Sequence, residues 1–597
     1  MKKEYTNRIQ RFRTESDLVR RKSERVAIAR MVLFLAMALS CWYFIREKQP
    51  AGLLIPLALV SGFLYLIKVS GRLRQRIRFL ELLIEINEQE IKALEGDYTS
   101  FETGGEFIDY QHHYSYDLDI FGKHSIFRMV TRAATPLGKE QLASRLCDPG
   151  TDPALIRQRQ EAVKELTEKL NWRQDFLATA READWERDKS RNVQSWLDGP
   201  DRFSNSRLFA LLTRLTPFIF LFLVSSSFAF RLSPFAFLLY LLLPTALILY
   251  KTRTINREQQ KVERLFELFR KYQGLLQLIE KENFNSDMTR SLKQSLEHDG
   301  TRASEIMKKL TDILWGLEVR SNLLIAFILN VVFLWDILLM IRLERWRKRY
   351  REDFGRWKGI IAEFETLNSF AGFAANRTDC SYPEILQGTF RMSLESGGHP
   401  LINPSKRVDN SLAFNESGQI YLITGANMAG KSTLLRMVGV NMVLAMSGSP
   451  VCAKSMSIVP VRISSSVRTN DSLGDDESYF YAELKKLNRI ITVLLSDPPL
   501  FVIIDEMLKG TNSRDKHAGS AALIRRLISL GASGLVATHD VELGILEAES
   551  VGKIVNHCFE VSTENNNLKF DYKLRPGVSQ SLNATFLMQQ MGIVSSP

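Results

Sequence analysis

Ile420-Tyr-Leu-Ile-Thr-Gly-Ala-Asn-Met-Ala-Gly-Lys-Ser-Thr433 decides how the last third of this 597-residue chain is read. An apolar run of strand character ends at Gly425. A G-x-x-x-x-G-K-S pattern follows through Gly430, Lys431 and Ser432, and a helical run extends from Leu434 to Met446. Strand, glycine-bounded loop and helix form the context that a phosphate loop requires. Glycines let the backbone N–H groups of Gly425, Ala426, Asn427, Met428, Ala429, Gly430, Lys431, Ser432 and Thr433 close around phosphate oxygens, and the helix N-terminus adds partial positive charge. Lys431 is the residue type that reaches the β- and γ-phosphates, and Ser432 the one that ligates magnesium. A glycine-rich turn before a core helix is the bland alternative, and the flanking strand and helix weigh against it. The expected cofactors are ATP and Mg2+.

Downstream, Leu500-Phe-Val-Ile-Ile504 reads as a buried strand that ends in Asp505-Glu506. A carboxylate at the C-terminal end of such a strand holds magnesium directly or through water, and a second one beside it orients or deprotonates the attacking water. Asp505 is therefore assigned to the metal and Glu506 to the water. A further strand, Gly534-Leu-Val-Ala-Thr538, ends at His539-Asp540. A lone histidine there is usually structural. Third in this series, His539 is expected to sense the γ-phosphate or to orient Glu506. Lys431, Glu506 and His539 make up the candidate catalytic set.

Outside this region the composition points to a membrane. The net charge is +12, yet residues 1–30 alone hold ten Lys/Arg against four acids, and Lys68 to Arg78 adds five more. Both clusters flank apolar runs, so topology explains them as well as nucleic acid does. Val26–Ile45 and Ala51–Ile67 are each near the length that crosses a bilayer of about 30 Å. A secretory signal is disfavoured by the long basic lead, the missing small-residue cleavage site and the second apolar run directly behind. Leu208–Phe230 and Leu232–Tyr250 form a second apolar pair, and Pro217 and Pro244 inside it are better tolerated in membrane helices than in soluble ones. Residues 322–341 are also apolar but carry Asp336; a fifth span would put the nucleotide loop on the far side from ATP, so a buried or interfacial helix is expected there, with a spanning helix as the lesser alternative. Residues 71–96 carry a heptad-like stripe of Leu73, Ile77, Leu80, Ile84, Asn87, Ile91 and Leu94, consistent with a short coiled coil or with a helix packed on a neighbour. The five cysteines show neither metal spacing nor a disulfide framework, which fits a reducing compartment.

Taken together, the C-terminal motifs resemble the ATPase of the MutS family, the mismatch-repair branch of the ABC-type ATPases. Gly425-Ala-Asn-Met-Ala-Gly-Lys-Ser-Thr is similar to G-P-N-M-G-G-K-S-T, and Asn427-Met428 is the distinctive pair. Ser478-Tyr-Phe-Tyr-Ala-Glu483-Leu resembles S-T-F-x-x-E-M; Asp505-Glu-Met-Leu-Lys-Gly-Thr-Asn-Ser resembles D-E-[IL]-G-R-G-T-[SN]; Ala537-Thr-His-Asp-Val-Glu-Leu resembles A-T-H-Y-x-E-L; and Gly398-His-Pro-Leu resembles the G-x-H-P entry to that domain. Asp117-Leu-Asp-Ile-Phe-Gly-Lys, Thr135-Pro-Leu-Gly and Ile156-Arg-Gln-Arg-Gln-Glu-Ala-Val resemble the family's helical core. The likeness covers roughly residues 110–200 and 260–590. It departs at Ala426 and Ala429, which replace Pro and Gly, and at Leu508-Lys509, which replace Gly-Arg. The mismatch-reading wedge domain and the C-terminal dimerisation extension are expected to be absent, and the second apolar pair occupies the place of the DNA clamp.

The resulting expectation is an α/β ABC-type P-loop ATPase domain at 391–597, preceded by a mainly α-helical MutS-core-like lever region and two transmembrane helical hairpins. Residues 1–25 form a basic cytoplasmic N-terminus, 26–68 the first hairpin, 69–206 a helical linker with the first part of the lever, 207–250 the second hairpin and 251–390 the rest of the lever. The resemblance implies ATP hydrolysis and pairing of two ATPase domains in a homodimer, with Ser478 closing in trans over the partner's nucleotide. It also implies DNA as ligand, whether mismatched, branched or plain duplex. Four transmembrane helices would hold the protein in the inner membrane with its ATPase in the cytoplasm. The competing expectation is a membrane ABC-type ATPase acting in transport or signalling without DNA.

Overall fold

The computed structural model describes residues 1–47, 54–182, 185, 193–230, 234–468, 479–496, 498–508, 512–564 and 567–580. Ten strands lie in the C-terminal region: β1 Glu384–Ile385, β2 Met392–Gly397, β3 Asn410–Phe414, β4 Ile420–Gly425, β5 Ser455–Ile458, β6 Arg462–Ser466, β7 Leu500–Asp505, β8 Ser533–Thr538, β9 Ile554–Glu564 and β10 Asn567–Pro576. A six-stranded sheet runs in the order β10-β9-β4-β8-β7-β6, parallel throughout except for the antiparallel edge strand β10. A four-stranded sheet, β1-β5-β2-β3, lies beside it. Strands β4 and β8 are buried along their whole lengths, as expected of a parallel sheet covered on both faces. Gly534 permits the close approach of β8 to β7, since a Cβ there would lie 2.1 Å from the Val502 carbonyl oxygen.

Thirteen helices carry the rest of the argument: α1 Lys2–Arg46, α2 Leu54–Leu94, α3 Pro136–Cys147, α4 Pro153–Glu168, α5 Leu170–Arg181, α6 Arg207–Phe230, α7 Pro234–Lys281, α8 Ala303–Glu318, α9 Leu323–Phe333, α10 Trp335–Asn376, α11 Lys431–Met446, α12 Tyr479–Ser496 and α13 Ser513–Ser529. Helix α11 covers one face of the large sheet, while Leu487 and Ile490 of α12 and Ile524 and Leu527 of α13 pack on the other. One hydrophobic core runs from the helical region into the first of these faces. At its seam Gly439 of α11 lets Leu118 approach; a Cβ at 439 would meet Leu118 at 2.8 Å.

Asp117 latches the two regions together. Its buried carboxylate accepts hydrogen bonds from the Ser465 hydroxyl at 2.7 Å, the Val467 amide at 3.1 Å, the Arg468 amide at 3.0 Å and the Lys486 ammonium at 2.8 Å. Asp119 adds ion pairs to Arg468 and Arg436. Removing the carboxylate leaves two amides without their acceptor and the Lys486 ammonium with the Arg468 carbonyl but without its counter-charge. Asp117→Ala is therefore expected to lower stability by about 3–5 kcal/mol, read as a shift in urea midpoint. Asp117→Asn, whose single amide oxygen can still accept from the Ser465 hydroxyl and the Val467 amide, should recover part of the loss.

The apolar runs expected to form the first hairpin lie within two helices, α1 and α2, that extend well beyond them. The basic segment 1–25 is the first half of a single 45-residue helix, α1, and the stripe at 71–96 is the second half of α2. These halves pair antiparallel, with Arg13–Glu88, Arg20–Glu81 and Arg76–Glu15 ion pairs across the seam. Such exposed pairs contribute little energy, about 0–1 kcal/mol each, but they set the register. Within the stripe Leu80 and Asn87 are buried, and Asn87 exchanges hydrogen bonds with Gln174 of α5. The Tyr5 hydroxyl donates to Asn376 at 2.9 Å, and the buried Glu90–Arg132 pair lies beside it. The hairpin is thus continuous with the helical body at the end of α10.

Among the described residues, four helices, α1, α2, α6 and α7, contain stretches long and apolar enough to cross a membrane, and the bent pair α9 and α10 would make a fifth if taken as one span. Residues 322–341 do not form the single helix expected from the sequence. The chain breaks at Leu334, whose φ is +47°, and α9 and α10 meet at 74°. The polar residues in this run account for the break: Asn330 accepts from the Asp336 amide at 2.9 Å, and Asp336 pairs with Arg320 at 2.7 Å. Helix α9 packs on α6 and α7, and Tyr240 of α7 donates to the Val331 carbonyl at 2.7 Å. Leu324, Phe327 and Ile328 remain exposed.

Candidate nucleotide-binding site

Strand β4 delivers the chain to the C-terminal edge of the parallel sheet, where the loop 426–430 turns into α11. Gly425 has φ +149° and passes so close to β9 that a Cβ would lie 2.9 Å from the Phe559 carbonyl oxygen; Gly430 caps the helix with φ +107°. These are the two positions where the loop requires glycine. Ala429 is buried, which suits a small side chain where the resemblance has glycine, and Met428 projects outward at φ +65°.

The loop lines an open cleft of about 550 Å³. The structure brings Ala426, Asn427, Met428, Gly430, Lys431, Ser432, Thr433, Asp505, Glu506 and His539 to its wall. Residues from β4, β7 and β8 therefore converge because their strands are adjacent and end at one edge. The Lys431 ammonium donates to the carbonyls of Gly425 at 2.7 Å and Ala426 at 2.8 Å and lies 3.3 Å from His539 Nδ1. Burial pushes it down to about 8, against the pull of Asp505 and Glu506. Burial, followed by the Lys431 charge, also lowers His539, which is neutral at pH 7.

Glu506 sits at φ +58°, held by its amide donating to the Ala537 carbonyl at 2.9 Å. One carboxylate oxygen accepts from Lys516 of α13 at 2.7 Å, and the other lies 3.9 Å from His539 Nε2. His539 thus faces Lys431 with one ring nitrogen and Glu506 with the other. The cleft fits a magnesium–nucleoside triphosphate: a glycine cradle without Cβ atoms, a buried ammonium, an exposed Ser432 hydroxyl and the Asp505 carboxylate in one wall. Ser478, expected to act across a dimer, and Lys509 lie outside the described residues.

Three contributors were not singled out from sequence. Glu483 is buried and accepts from the Leu508 amide at 2.6 Å, bracing the loop that carries Glu506. Lys516 lies ten residues beyond Glu506, in the first turn of α13, and signals nothing by itself. Tyr572 reaches the cleft because β10 bulges: Phe559 pairs with Leu574, and Val561 already pairs with Phe570. His399 of the Gly-x-His-Pro stretch lines the same cleft and is pushed down to about 4 by burial and by Arg436 and Arg407.

Family models match over most of the chain. That for MutS domain III covers residues 111–371 and that for MutS domain V covers 421–590. The DNA mismatch repair protein MutS of Thermotoga neapolitana is 34% identical over 224 residues, which is 37% of this chain and 28% of that protein. MutS of Sorangium cellulosum is 29% identical over 303 residues, 50% of this chain and 29% of that protein. MutS protein homolog 4 of Mus musculus is 29% identical over 232 residues, 37% of this chain and 24% of that protein. The chain thus spans less than a third of the length of these curated relatives. The domain III match runs across both α6 and α7, so the second apolar pair lies within the matched region.

Proposed function

The chain belongs to the MutS family, and on that premise we propose that it is a membrane-anchored ATPase that hydrolyses ATP and couples turnover to contact with DNA. The observation that carries this reading is the convergence of Lys431, Asp505, Glu506 and His539 on one cleft. Lys431 neutralises and orients the phosphates. Ser432 and Asp505 would hold Mg2+, which supplies charge neutralisation at the transferring phosphoryl group. Glu506 positions the attacking water and takes its proton. Neutral His539 bridges Lys431 and Glu506 and keeps the carboxylate aimed into the cleft.

DNA as ligand is supported by the likeness to DNA mismatch repair proteins, and homodimerisation through the nucleotide-binding regions by the resemblance. The membrane reading is supported by exposed apolar side chains along α1, α2, α6 and α7, including Leu39, Trp42, Tyr65, Phe222 and Leu242. Contiguous apolar surface of that extent on a helix of bilayer length is matched by lipid rather than water. With two hairpins, the nucleotide site stays on the cytoplasmic side of the inner membrane.

The test uses the full chain in detergent. Anisotropy with heteroduplex, branched and plain duplex DNA at stated salt, alongside ATP turnover, is expected to show binding and a changed turnover rate. ATP turnover indifferent to all three DNAs would remove DNA from the reading and leave transport or signalling. Labelling that placed residues 400–570 outside the cytoplasm would overturn the topology.

A further inference from the structure

At the junction between α10 and the nucleotide-binding region, Cys380 and Cys452 lie with their sulfurs 2.6 Å apart. Backbone pairing puts them there. Ser381 and Val451 exchange both of their amide-to-carbonyl hydrogen bonds, at 2.9 and 2.8 Å, as an isolated antiparallel bridge. The next facing pair along that bridge is Cys380 and Cys452, a non-hydrogen-bonded pair. In such pairs the Cα atoms are about 4.5 Å apart and the side chains closest. That spacing lies within the range a disulfide spans without backbone movement. Cys452 is fully buried, and Cys380 is partly exposed, so the pair opens to solvent on the Cys380 side.

The charges around the pair distinguish a thiol site from a metal site. Asp379 completes a cluster of three possible ligands with the two cysteines. Both of its oxygens are already engaged, however: Arg377 donates to them at 2.8 and 2.9 Å, and Arg407 adds a contact at 3.0 Å. Two guanidinium groups against the only carboxylate of the cluster oppose a cation. They favour a thiolate instead, and Arg377 also reaches the Cys452 sulfur at 3.3 Å. Burial opposes ionisation of Cys452, and so does the Asp379 charge, but the hydrogen bond from Cys380 and the Arg377 and Arg407 charges prevail and hold its thiol below the ordinary value.

We propose that Cys380 and Cys452 form a reversible, hydroperoxide-reactive disulfide site that ties the end of α10 to the segment following α11. The Cys452 thiolate attacks one peroxide oxygen. An S–O bond forms, the O–O bond breaks, and the leaving oxygen departs as water or alcohol after taking a proton. The Cys380 sulfur then attacks the Cys452 sulfur; an S–S bond forms, the S–O bond breaks, and the hydroxyl leaves as water with the Cys380 proton. The peroxide is reduced by two electrons and the two thiols are oxidised by two. The closed loop spans 72 residues and includes β4, the phosphate loop and α11. The lever helix is thereby fixed to the helix that carries Lys431, and thiol reductants release it.

The experiment treats the full chain in detergent with hydrogen peroxide, then alkylates it under denaturing conditions. The protein has five cysteines, and loss of two is expected to leave three reactive thiols (5 − 2). Digestion is expected to release one cross-linked peptide pair containing Cys380 and Cys452, about 2 Da lighter than the reduced peptides together and cleaved by dithiothreitol. Cys380→Ser and Cys452→Ser, each conservative in size, should each abolish that cross-link while circular dichroism stays unchanged. Retention of all five thiols overturns the proposal, as does cross-linking through Cys41, Cys147 or Cys558 in its place. Stoichiometric zinc that co-purifies with the protein and is lost in Cys452→Ser also overturns it.

Discussion

Replacing Glu506 with glutamine is expected to slow ATP hydrolysis by about 10²–10⁴-fold, the usual contribution of a positioned general base, while nucleotide affinity stays within a few-fold of the parent. Glutamine keeps the side-chain oxygen that accepts from Lys516, so the loop at φ +58° keeps its anchor and the loss falls on proton transfer. Single-turnover hydrolysis and equilibrium binding of a labelled nucleotide separate the two effects. Unchanged turnover would remove Glu506 from the chemistry. A parallel loss of affinity would make it a structural prop for the cleft. Glu483→Ala provides the contrast, because it removes the acceptor of the Leu508 amide. It should cost about 1–3 kcal/mol of local stability and lower turnover indirectly, with Glu506 still present.

Much of the cleft is legible in the sequence, because its chemistry is carried by motifs that each end a strand. Gly425, Asp505 and His539 stand at the C-terminal ends of β4, β7 and β8 or immediately after them, and a parallel sheet brings such ends to one edge. What is not legible comes from partners distant in the chain. Lys516 gains meaning only when α13 brings it to Glu506, and Tyr572 only because β10 bulges toward the phosphate loop. Asp117 stood out only through the resemblance, although 348 residues of chain separate it from Ser465, to which it is bonded. The apolar spans were readable from composition, but not their continuation into the body. The pairing of α1 with α2 depends on Phe12, Leu80 and Leu83, spaced as in any amphipathic helix. At 322–341, hydropathy alone suggested one helix; the side chains of Asn330 and Asp336 decided for two.

Lys431→Met is expected to weaken ATP binding by about 2–5 kcal/mol, at least about thirtyfold, the range for removing one partner of a buried charged contact. The methionine keeps the volume that fills the floor of the loop, so α11 should retain its place. The pH dependence provides the sharper test. Burial holds the Lys431 ammonium down to about 8, from an ordinary value of 10.5, whereas a bound triphosphate favours the charged form and draws it back up. Binding therefore takes up a proton where the unliganded side chain is neutral, above about pH 8. Affinity should be flat below pH 8 and fall by up to about tenfold per pH unit above it, until the pKa of the bound form is reached. His539, the titrating neighbour at 3.3 Å, is held below its ordinary value and is neutral throughout that window, so it adds no slope. Lys431→Met should abolish the alkaline fall as well as lower the plateau. Calorimetric titration between pH 7 and 9.5 in buffers of differing ionisation enthalpy measures both the affinity and the proton uptake. A parent protein whose affinity does not change across that range would show that Lys431 is not the group that meets the phosphates.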